Sequence, residues 1–320
     1  MSQNTIKIVE ISRGTTHDGP GLRTTVFTKG CVLACRWCQN PESISPNHEV
    51  WYEKTRCIGC LLCVGACPHN ALDSGKLGIG IHRGQCTACG TCAGICPAKA
   101  LTLTGMEWSM DDLVREVIKD KPYYGEFGGG VTVSGGEPLI HGAFLSGFFA
   151  KLREHGIHVA LDTCACLPEE DLIGILPLVD AVLYDIKLMD TVKHMELTGR
   201  ENQLILNNLL AVAAYIRKGA KPLLWIRTPL IPGATATEDN IGRIADFITG
   251  NILDVIERWE LCAFNPACAI KYNKMQKPWM YEGVGAMKRG ETDILQRIAL
   301  SRGIPETKLI VSGIITQDKK

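Results

Sequence analysis

Cysteine is the residue type in this chain best suited to unusual chemistry, and its first group is compact. Cys31, Cys35 and Cys38 follow the spacing C-x3-C-x2-C within KGCVLACRWCQNPES. Three thiolates can hold three irons of a cubane cluster and leave the fourth iron open, whereas ferredoxin-type clusters use four cysteines. A zinc knuckle would need a fourth ligand in closed geometry, and the nearest candidate, His48, lies ten residues beyond Cys38. The spacing therefore indicates an iron–sulfur cluster that binds a ligand.

Eight further cysteines form two copies of the run C-x2-C-x2-C-x3-C, each followed by proline and lying twenty-nine residues apart. In two-cluster ferredoxins, the fourth cysteine of each run ligates the other cluster. We therefore predict one cubane on Cys57, Cys60, Cys63 and Cys96, and another on Cys67, Cys86, Cys89 and Cys92. Electron relay is the role that such closed clusters favour. A structural insert, a docking surface for a partner and a pair of zinc ribbons are the alternatives.

The elements that must position these groups alternate between strand and helix patterns. We predict a first strand at Thr24–Thr28 and later strands at 131–134, 157–162, 181–185, 223–227, 257–264 and 309–312. Amphipathic helices are predicted at 110–120 and 143–154. Ser109 and Asp112 indicate the start of the first helix, and Gly156 follows the end of the second. Alternating strands and helices predict a mainly parallel sheet in an α/β fold.

Polar residues follow five consecutive strands of this predicted sheet. In chain order they are Gly135-Gly136-Glu137, Asp162, Asp185-Ile186-Lys187, Arg227 and Asn265. Because ligands of parallel α/β sheets bind at the carboxyl ends of the strands, we expect these residues to share one site. The other cysteines, Cys164, Cys166, Cys262 and Cys268, lack ligand spacing and are interpreted as packed or rim thiols.

The cysteine loop carries a family resemblance. Its C-x3-C-x2-C run, with Trp37 before the last cysteine, resembles the radical S-adenosylmethionine superfamily. The longer stretch DGPGLRTTVFTKGCVLACRWCQNPES, from Asp18 to Ser43, resembles the glycyl-radical-enzyme activases, which include pyruvate formate-lyase activase. The resemblance spans nearly the whole chain. It implies a partial, open (β/α)6 barrel formed by residues 1–50 and 105–320, with a ferredoxin-like insert at 51–104 that holds two 4Fe-4S clusters.

The resemblance also implies a reaction. S-adenosylmethionine chelates the open iron through its amino nitrogen and carboxylate, and an electron from the cluster cleaves its sulfonium bond. The 5′-deoxyadenosyl radical then takes hydrogen from one glycine of a partner glycyl radical enzyme. The implied enzyme is an oxidoreductase with three 4Fe-4S clusters and flavodoxin or ferredoxin as electron donor. The alternatives are a radical enzyme acting on a small molecule and, less compatible with the open cluster, a pure electron carrier.

The resemblance assigns roles to the polar strand ends. Gly135, Gly136 and Glu137 resemble the contact to the cofactor's amino group, and Asp185-Ile186-Lys187 resembles a motif near its carboxylate and ribose. Asp162 matches a position that helps to hold a monovalent cation. The expected cofactor site also includes Trp37, Gln39, Arg227 and Asn265. Asn265 stands where shorter activases carry a histidine. No catalytic side chain is expected beyond the cluster-bound cofactor.

The overall charge excludes some other functions. Thirty-four Lys and Arg residues balance thirty-four Asp and Glu residues, and no charge run suggests a nucleic-acid or membrane partner. The start, MSQNTIKIVE, lacks the apolar run of a signal peptide, and no apolar stretch approaches the roughly 18 residues of a membrane span. We therefore expect a cytoplasmic protein, in which many cysteines indicate metal binding rather than disulfides.

Overall fold

The computed structural model describes residues 4–75, 78–219 and 222–317. Among these residues the strands are β1 (Thr5–Thr15), β2 (Arg23–Thr28), β3 (Glu49–Tyr52), β4 (Leu72–Gly75), β5 (Gly78–Ile81), β6 (Leu101–Thr104), β7 (Met106–Ser109), β8 (Gly130–Gly135), β9 (His158–Thr163), β10 (Ala181–Asp185), β11 (Leu223–Leu230), β12 (Ile256–Ala263) and β13 (Leu309–Ser312). The α-helices are α1 (Leu62–Ala66), α2 (Thr91–Ile95), α3 (Met110–Ile118), α4 (Lys121–Phe127), α5 (Gly142–Glu154), α6 (Glu169–Ile175), α7 (Thr191–Thr198), α8 (Gln203–Arg217), α9 (Glu238–Asn251), α10 (Ala269–Met275) and α11 (Arg289–Ser301).

One nine-stranded sheet dominates the structure, in the order β13-β12-β11-β10-β9-β8-β2-β1-β7. The strands from β13 to β2 run parallel, while β1 pairs antiparallel with both β2 and β7. In the described part of the chain the sheet ends at β13 and β7, so it is open, which confirms the predicted partial α/β barrel. It has seven parallel strands rather than about six, because the short strand β13 joins the sheet. The sequence interpretation also missed β1 and β7 at the other edge.

Apolar spacing explains why these elements form. Helix α5 buries Phe144, Leu145, Phe148, Phe149 and Leu152, which recur at helical spacing and pack on the outer face of the sheet. The predicted helix start is confirmed, because the Ser109 hydroxyl accepts a hydrogen bond from the Asp112 amide. Gly156 follows α5 with φ +67°, as the predicted helix end requires.

The inner face of the sheet is filled at its centre. Ala160, Ala181, Leu183 and Trp225 form a small apolar cluster there. The guanidinium of Arg258 lies 3.8 Å from the Trp225 ring centroid and covers this cluster. Because side chains alternate across a strand, the next inward positions lie one layer nearer the carboxyl ends. These positions include Asp162, Asp185 and Arg227, so the polar residues stand on an apolar floor.

Arg23, in the stretch DGPGLRT, occupies the amino end of the parallel sheet. It is fully buried, and its guanidinium donates to the Thr132 hydroxyl and to the carbonyls of Val131 and Pro20. Burial lowers the pKa of Arg23 to about 10. No carboxylate forms an ion pair with it among the residues described, and its further neighbours are the His158 carbonyl and ring nitrogen Nδ1, both at 3.4 Å. The motif therefore serves here to close the barrel's amino end.

The second and third cysteine groups lie in a small unit beside the barrel. Strand β3 pairs with β6, and β4 pairs with β5. The buried residues of this unit form a hydrophobic cluster of their own, separate from the main core. The members of this cluster are Val50, Tyr52, Cys63, Leu72, Ile79, Ile81, Cys92, Ala100 and Leu101. The predicted boundary between residues 50 and 51 falls inside β3 and remains a prediction. Residues 1–3, 76–77, 220–221 and 318–320 of the predicted units lie outside the described residues.

Within the part of the chain that is described, no helix combines the length and apolarity needed to cross a membrane.

Candidate active site

The first cysteine group lies on the loop between β2 and β3, and backbone hydrogen bonds hold this loop on several sides. The amides of Gly30 and Cys31 donate to the carbonyls of Ser43 and Ile44, at 2.7 and 3.0 Å. The amide of Ala34 donates to the Thr198 carbonyl at the end of α7, at 2.7 Å. The loop is therefore fixed both to itself and to the barrel, which sets the positions of its three thiols.

The three thiols of this loop fit an iron–sulfur cluster. Burial raises the pKa of Cys31, Cys35 and Cys38 to about 12, because a thiolate there loses its hydration. Coordination by iron supplies the positive charge that such thiolates need. The C-x3-C-x2-C spacing of this loop suits a cubane, in which each thiolate binds a different iron.

A pair of glycines ties the cysteine loop to the end of β8. Gly135 has φ +111°, and a Cβ on it would lie 2.3 Å from the Thr28 nitrogen. A Cβ on Gly136 would lie 1.9 Å from the Gly30 carbonyl oxygen and 2.8 Å from that of Ser43. The glycines are thus required by contact with the chain's own backbone. The expected cofactor contact of these two residues remains a prediction.

Glu137 is fully buried and directs its carboxylate into the protein. One oxygen accepts from the Thr163 hydroxyl at 2.7 Å and from the Leu139 amide at 3.0 Å, and the other accepts from the Cys164 amide at 2.8 Å. Burial raises the pKa of Glu137, and these hydrogen bonds oppose the shift. Both oxygens therefore join the ends of β8 and β9. A cofactor contact through this carboxylate remains a prediction.

The structure brings Asp162 and Arg227 together, and it adds Glu260, which the sequence interpretation missed. Arg227 Nη1 lies 3.4 Å from Asp162 Oδ2, and Arg227 Nε lies 3.4 Å from Glu260 Oε2. Asp162 Oδ2 also accepts from the Ser134 hydroxyl at 2.7 Å. Burial raises the pKa of Asp162 to about 6, although the charge of Arg227 lowers it. Charged side chains of β9, β11 and β12 thus form one row across the sheet.

Asp185 is the last residue of β10, the strand between those of Asp162 and Arg227, and Lys187 follows it by two residues. The Lys187 ammonium donates to Asp185 Oδ2, and Asp185 pairs in register with Arg227 on β11. The pKa of Lys187 is raised, because the charges of Asp185 and Cys35 outweigh the loss of hydration. Ile186 is buried, and its amide donates to the Arg227 carbonyl at 2.9 Å. Burial raises the pKa of Cys35 and the positive charge of Lys187 opposes that shift, so the end of β10 lies near the cysteine loop.

The remaining predicted cofactor residues have local partners. Trp37 is 3% exposed and packs with the main core, and Gln39 Nε2 lies 3.5 Å from the Trp37 carbonyl. Asn265 follows β12, where its side-chain oxygen accepts from the Ala267 amide at 2.9 Å. These contacts give each side chain a structural role, and their predicted contacts with a cofactor are untested.

The eight cysteines of the insert lie around two cavities. A cavity of about 330 Å³ is lined by Cys57, Cys60, Cys63 and Cys96. A second cavity of about 300 Å³ is lined by Cys67, Cys86, Cys89 and Cys92. Each cavity therefore combines three cysteines of one run with the fourth cysteine of the other run. This grouping agrees with the exchange of fourth ligands expected of a two-cluster ferredoxin.

The sequence interpretation missed Glu260 and Tyr272, and only Glu260 left a signal in the sequence. Glu260 is 5% exposed, and it alternates with Arg258 in the buried strand IERWELCA. Charged residues at alternate positions of such a strand indicate an inward polar face, so this signal was readable. Tyr272 on α10 donates from its hydroxyl to the Cys38 carbonyl at 3.1 Å. Nothing in the local sequence indicates that contact, which joins positions 234 residues apart.

Gly136→Ala should loosen the cysteine loop. The new Cβ meets two backbone oxygens that cannot rotate away, so we expect a loss of about 2 kcal/mol or more in the free energy of unfolding. Gly142→Ala is the matched control, because nothing lies within 4 Å of its added Cβ. Anaerobic urea unfolding, together with iron content, measures the difference. Equal stability of the two variants would contradict a close backbone contact at Gly136.

Arg227→Gln should lower the free energy of unfolding much more than the loss of a surface ion pair does. It leaves the buried Asp162 and Glu260 without their shared cation, a change worth about 3–5 kcal/mol. The control is Arg217→Gln, whose partner Asp254 is exposed and whose loss should cost less than about 1 kcal/mol. Adding Glu260→Gln to Arg227→Gln should recover part of the loss. Urea midpoints that shift equally in both single variants would refute this pairing.

Two family models match the cysteine regions. A 4Fe-4S dicluster domain model matches residues 56–100, and a 4Fe-4S single cluster domain model matches residues 17–69. A crystal structure of a radical SAM methyltransferase from Sphaerobacter thermophilus covers 97% of this chain and 73% of its own, with a TM-score of 0.54 and 14% identity. At that identity the likeness concerns the fold alone, and it agrees with the open α/β barrel.

Curated relatives match over most of their length. The trans-4-hydroxy-L-proline dehydratase activating enzyme of Clostridioides difficile is 40% identical over 279 residues, which are 86% of this chain and 89% of that protein. The indoleacetate decarboxylase activating enzyme of Tractidigestivibacter scatoligenes is 38% identical over 250 residues, which are 75% of this chain and 78% of that protein. With its three-cysteine loop and the matching iron–sulfur domain models, the chain belongs to the glycyl radical enzyme activating enzymes of the radical S-adenosylmethionine superfamily.

Proposed function

We propose that this activating enzyme binds and cleaves S-adenosylmethionine between the loop of Cys31, Cys35 and Cys38 and the carboxyl ends of β8–β11. The observation that carries this proposal is the physical junction of the two parts. A Cβ on Gly136 would meet the Gly30 carbonyl oxygen of the loop, and the Glu137 amide donates to that oxygen at 2.7 Å. When bound to the three thiolates, a cluster supplies the low-potential electron and an open iron for the cofactor.

The proposed site uses fixed polar groups to orient the cofactor. Lys187 and Asp185 hold each other, so neither side chain must be ordered when a ligand arrives. Arg227 stands between Asp162 and Glu260, and all three are largely shielded from water. We assign Asp162 to a monovalent cation, because a positive charge there would favour the ionised carboxylate whose pKa burial has raised.

Access beside the cysteine loop suits a large substrate. An open surface groove borders the loop, and it is lined by Cys35, Arg36, Pro41, Ile44, Ser45, Tyr272, Lys277, Pro278 and Met280. An extended backbone segment can approach through such an open groove, whereas a small-molecule enzyme usually encloses its substrate. We therefore favour a glycine loop of the partner protein over the small-molecule alternative.

The partner's product tests this function directly. The chain and the glycyl radical enzyme encoded nearest to it are mixed anaerobically with S-adenosylmethionine and reductant. Electron paramagnetic resonance should show a glycyl doublet, which should vanish with Cys35→Ala or when the partner's radical glycine is changed to alanine. The glycine change should leave cofactor binding by the activating enzyme intact. Turnover of a small substrate without any partner would instead support the alternative.

We further propose that the insert, residues 51–104, relays electrons from a flavodoxin or ferredoxin through two clusters, giving three clusters and about twelve irons per chain. The double change Cys60→Ala and Cys89→Ala removes one ligand from each cavity. It should slow activation strongly with a reduced ferredoxin and much less with dithionite, which is small enough to reach the cysteine loop. Equal losses with both reductants would assign the insert a structural or docking role.

A further inference from the structure

The two cavities of the insert lie at different distances from the barrel. Strand β3 leaves the barrel at Glu49, whose carboxylate pairs at 3.3 Å with the buried Lys29 ammonium, two residues before Cys31. Val50, the next residue, lines the cavity of Cys67, Cys86, Cys89 and Cys92, named here the inner cavity. Tyr52 lines the other, the outer cavity. At about 3.3 Å per strand residue, the outer cavity begins roughly 7 Å farther along β3.

A second contact links the inner cavity to the cysteine loop. Arg83, three residues before Cys86, is half-buried and donates to the Met275 carbonyl at the end of α10, at 2.7 Å. On the same helix, the Tyr272 hydroxyl donates to the Cys38 carbonyl. Helix α10 therefore touches both the segment before Cys86 and the loop of Cys38. Gln276, directly after the same helix, also donates to the Ile79 carbonyl beside the outer cavity, at 2.7 Å, so α10 fixes both cavities to the barrel and the strand positions of Val50 and Tyr52 set their order.

The outer cavity carries the exposed apolar surface of the insert. Ile58, Leu61 and Leu62 line it, and their side chains are 69%, 45% and 49% exposed, in that order. The inner cavity is lined by Val50 and Leu72, which are buried, and by none of the large apolar residues exposed in the described chain. Grouped exposed apolar side chains in a soluble unit mark an interaction site. Cys60, which lies among them, is also exposed.

Basic residues surround this apolar surface. Lys54, Arg56 and Lys99 are exposed near the predicted ligands Cys57 and Cys96, and Glu53 offsets part of this charge by pairing with Arg56 at 4.0 Å. The sequence contains no Asp or Glu from residue 54 to 72 or from 83 to 104. The negative charge of a bound cluster lies beneath the rim, so an approaching protein first meets the lysine and arginine side chains. Such a rim attracts an acidic partner and steers its approach.

We propose that the outer surface, formed by Lys54, Arg56, Ile58, Leu61, Leu62 and Lys99, docks an acidic, low-potential electron-carrier protein. This inference rests on the relay proposed above and gives it a direction. The reduced carrier loses one electron to the cluster held at the outer cavity and is thereby oxidised. That electron passes to the cluster at the inner cavity and then to the one held by the cysteine loop, with no proton transferred.

Charge reversal at the outer surface tests the proposal by binding. The variant Lys54→Glu with Lys99→Glu is compared with a charge-matched control on the barrel, Lys193→Glu with Lys218→Glu, all four lysines being exposed. Binding of an acidic ferredoxin to the reconstituted proteins is measured by biolayer interferometry at low and high salt. We expect the outer variant to bind about tenfold more weakly at low salt, with a smaller salt dependence, and the control to bind within about twofold of the parent protein.

A second measurement separates docking from misfolding and from failure of the relay. Iron content and dithionite-driven cleavage of S-adenosylmethionine should be unchanged in the outer variant, because neither depends on the carrier. Leu61→Asn, which keeps every charge, should also weaken ferredoxin binding. Undiminished binding by the outer variant, or an equal loss in the control, would overturn the docking site. Undiminished ferredoxin-driven activation in the Cys60→Ala, Cys89→Ala variant would instead overturn the relay.

Discussion

The contact between Gly136 and the backbone around Gly30 is the constraint on which the site depends. A Cβ at position 136 would lie 1.9 Å from the Gly30 oxygen, so only glycine allows the cysteine loop to lie against the end of β8. The amide of Glu137 then donates to that same oxygen at 2.7 Å. A loop held by backbone contacts cannot drift when its thiols bind metal. The thiols therefore keep a fixed position above the strand ends, which preorganised chemistry requires.

The second constraint is the cost of burying charge at those strand ends. An isolated buried carboxylate is expensive, and here three of them face one another across adjacent strands. Arg227 lies between Asp162 and Glu260, while Lys187 neutralises Asp185. The row is therefore stable only as a set, in contrast to Glu137, which depends on hydrogen bonds from Thr163 and from backbone amides. Polar groups that are paired in this way remain rigid when a ligand enters.

The sequence predicted those features that depend on local spacing. Ligand spacing separated the three cysteine groups, and strand patterns located the polar residues that follow β8 to β11. The inward direction of Glu137 was not predictable, because it depends on Thr163 and Cys164 of the next strand. The edge strands β1 and β7 were missed, because strand β1 alternates in burial only near its start. Contacts of α10 with the cysteine loop are long-range and leave no local pattern.

Helix α10 explains how an insert with its own small core can serve a site on the barrel. Lys274 pairs with Glu53 at 3.3 Å and Lys277 with Glu49 at 3.0 Å, while Lys271 donates to Glu42 at 2.7 Å beside the cysteine loop. This short helix and the residues directly after it thus hold both bodies by charged contacts. Partly exposed ion pairs of this kind add little stability individually, but several from one helix fix an orientation. Electron transfer falls steeply with distance, so a relay needs that fixed geometry more than it needs binding energy.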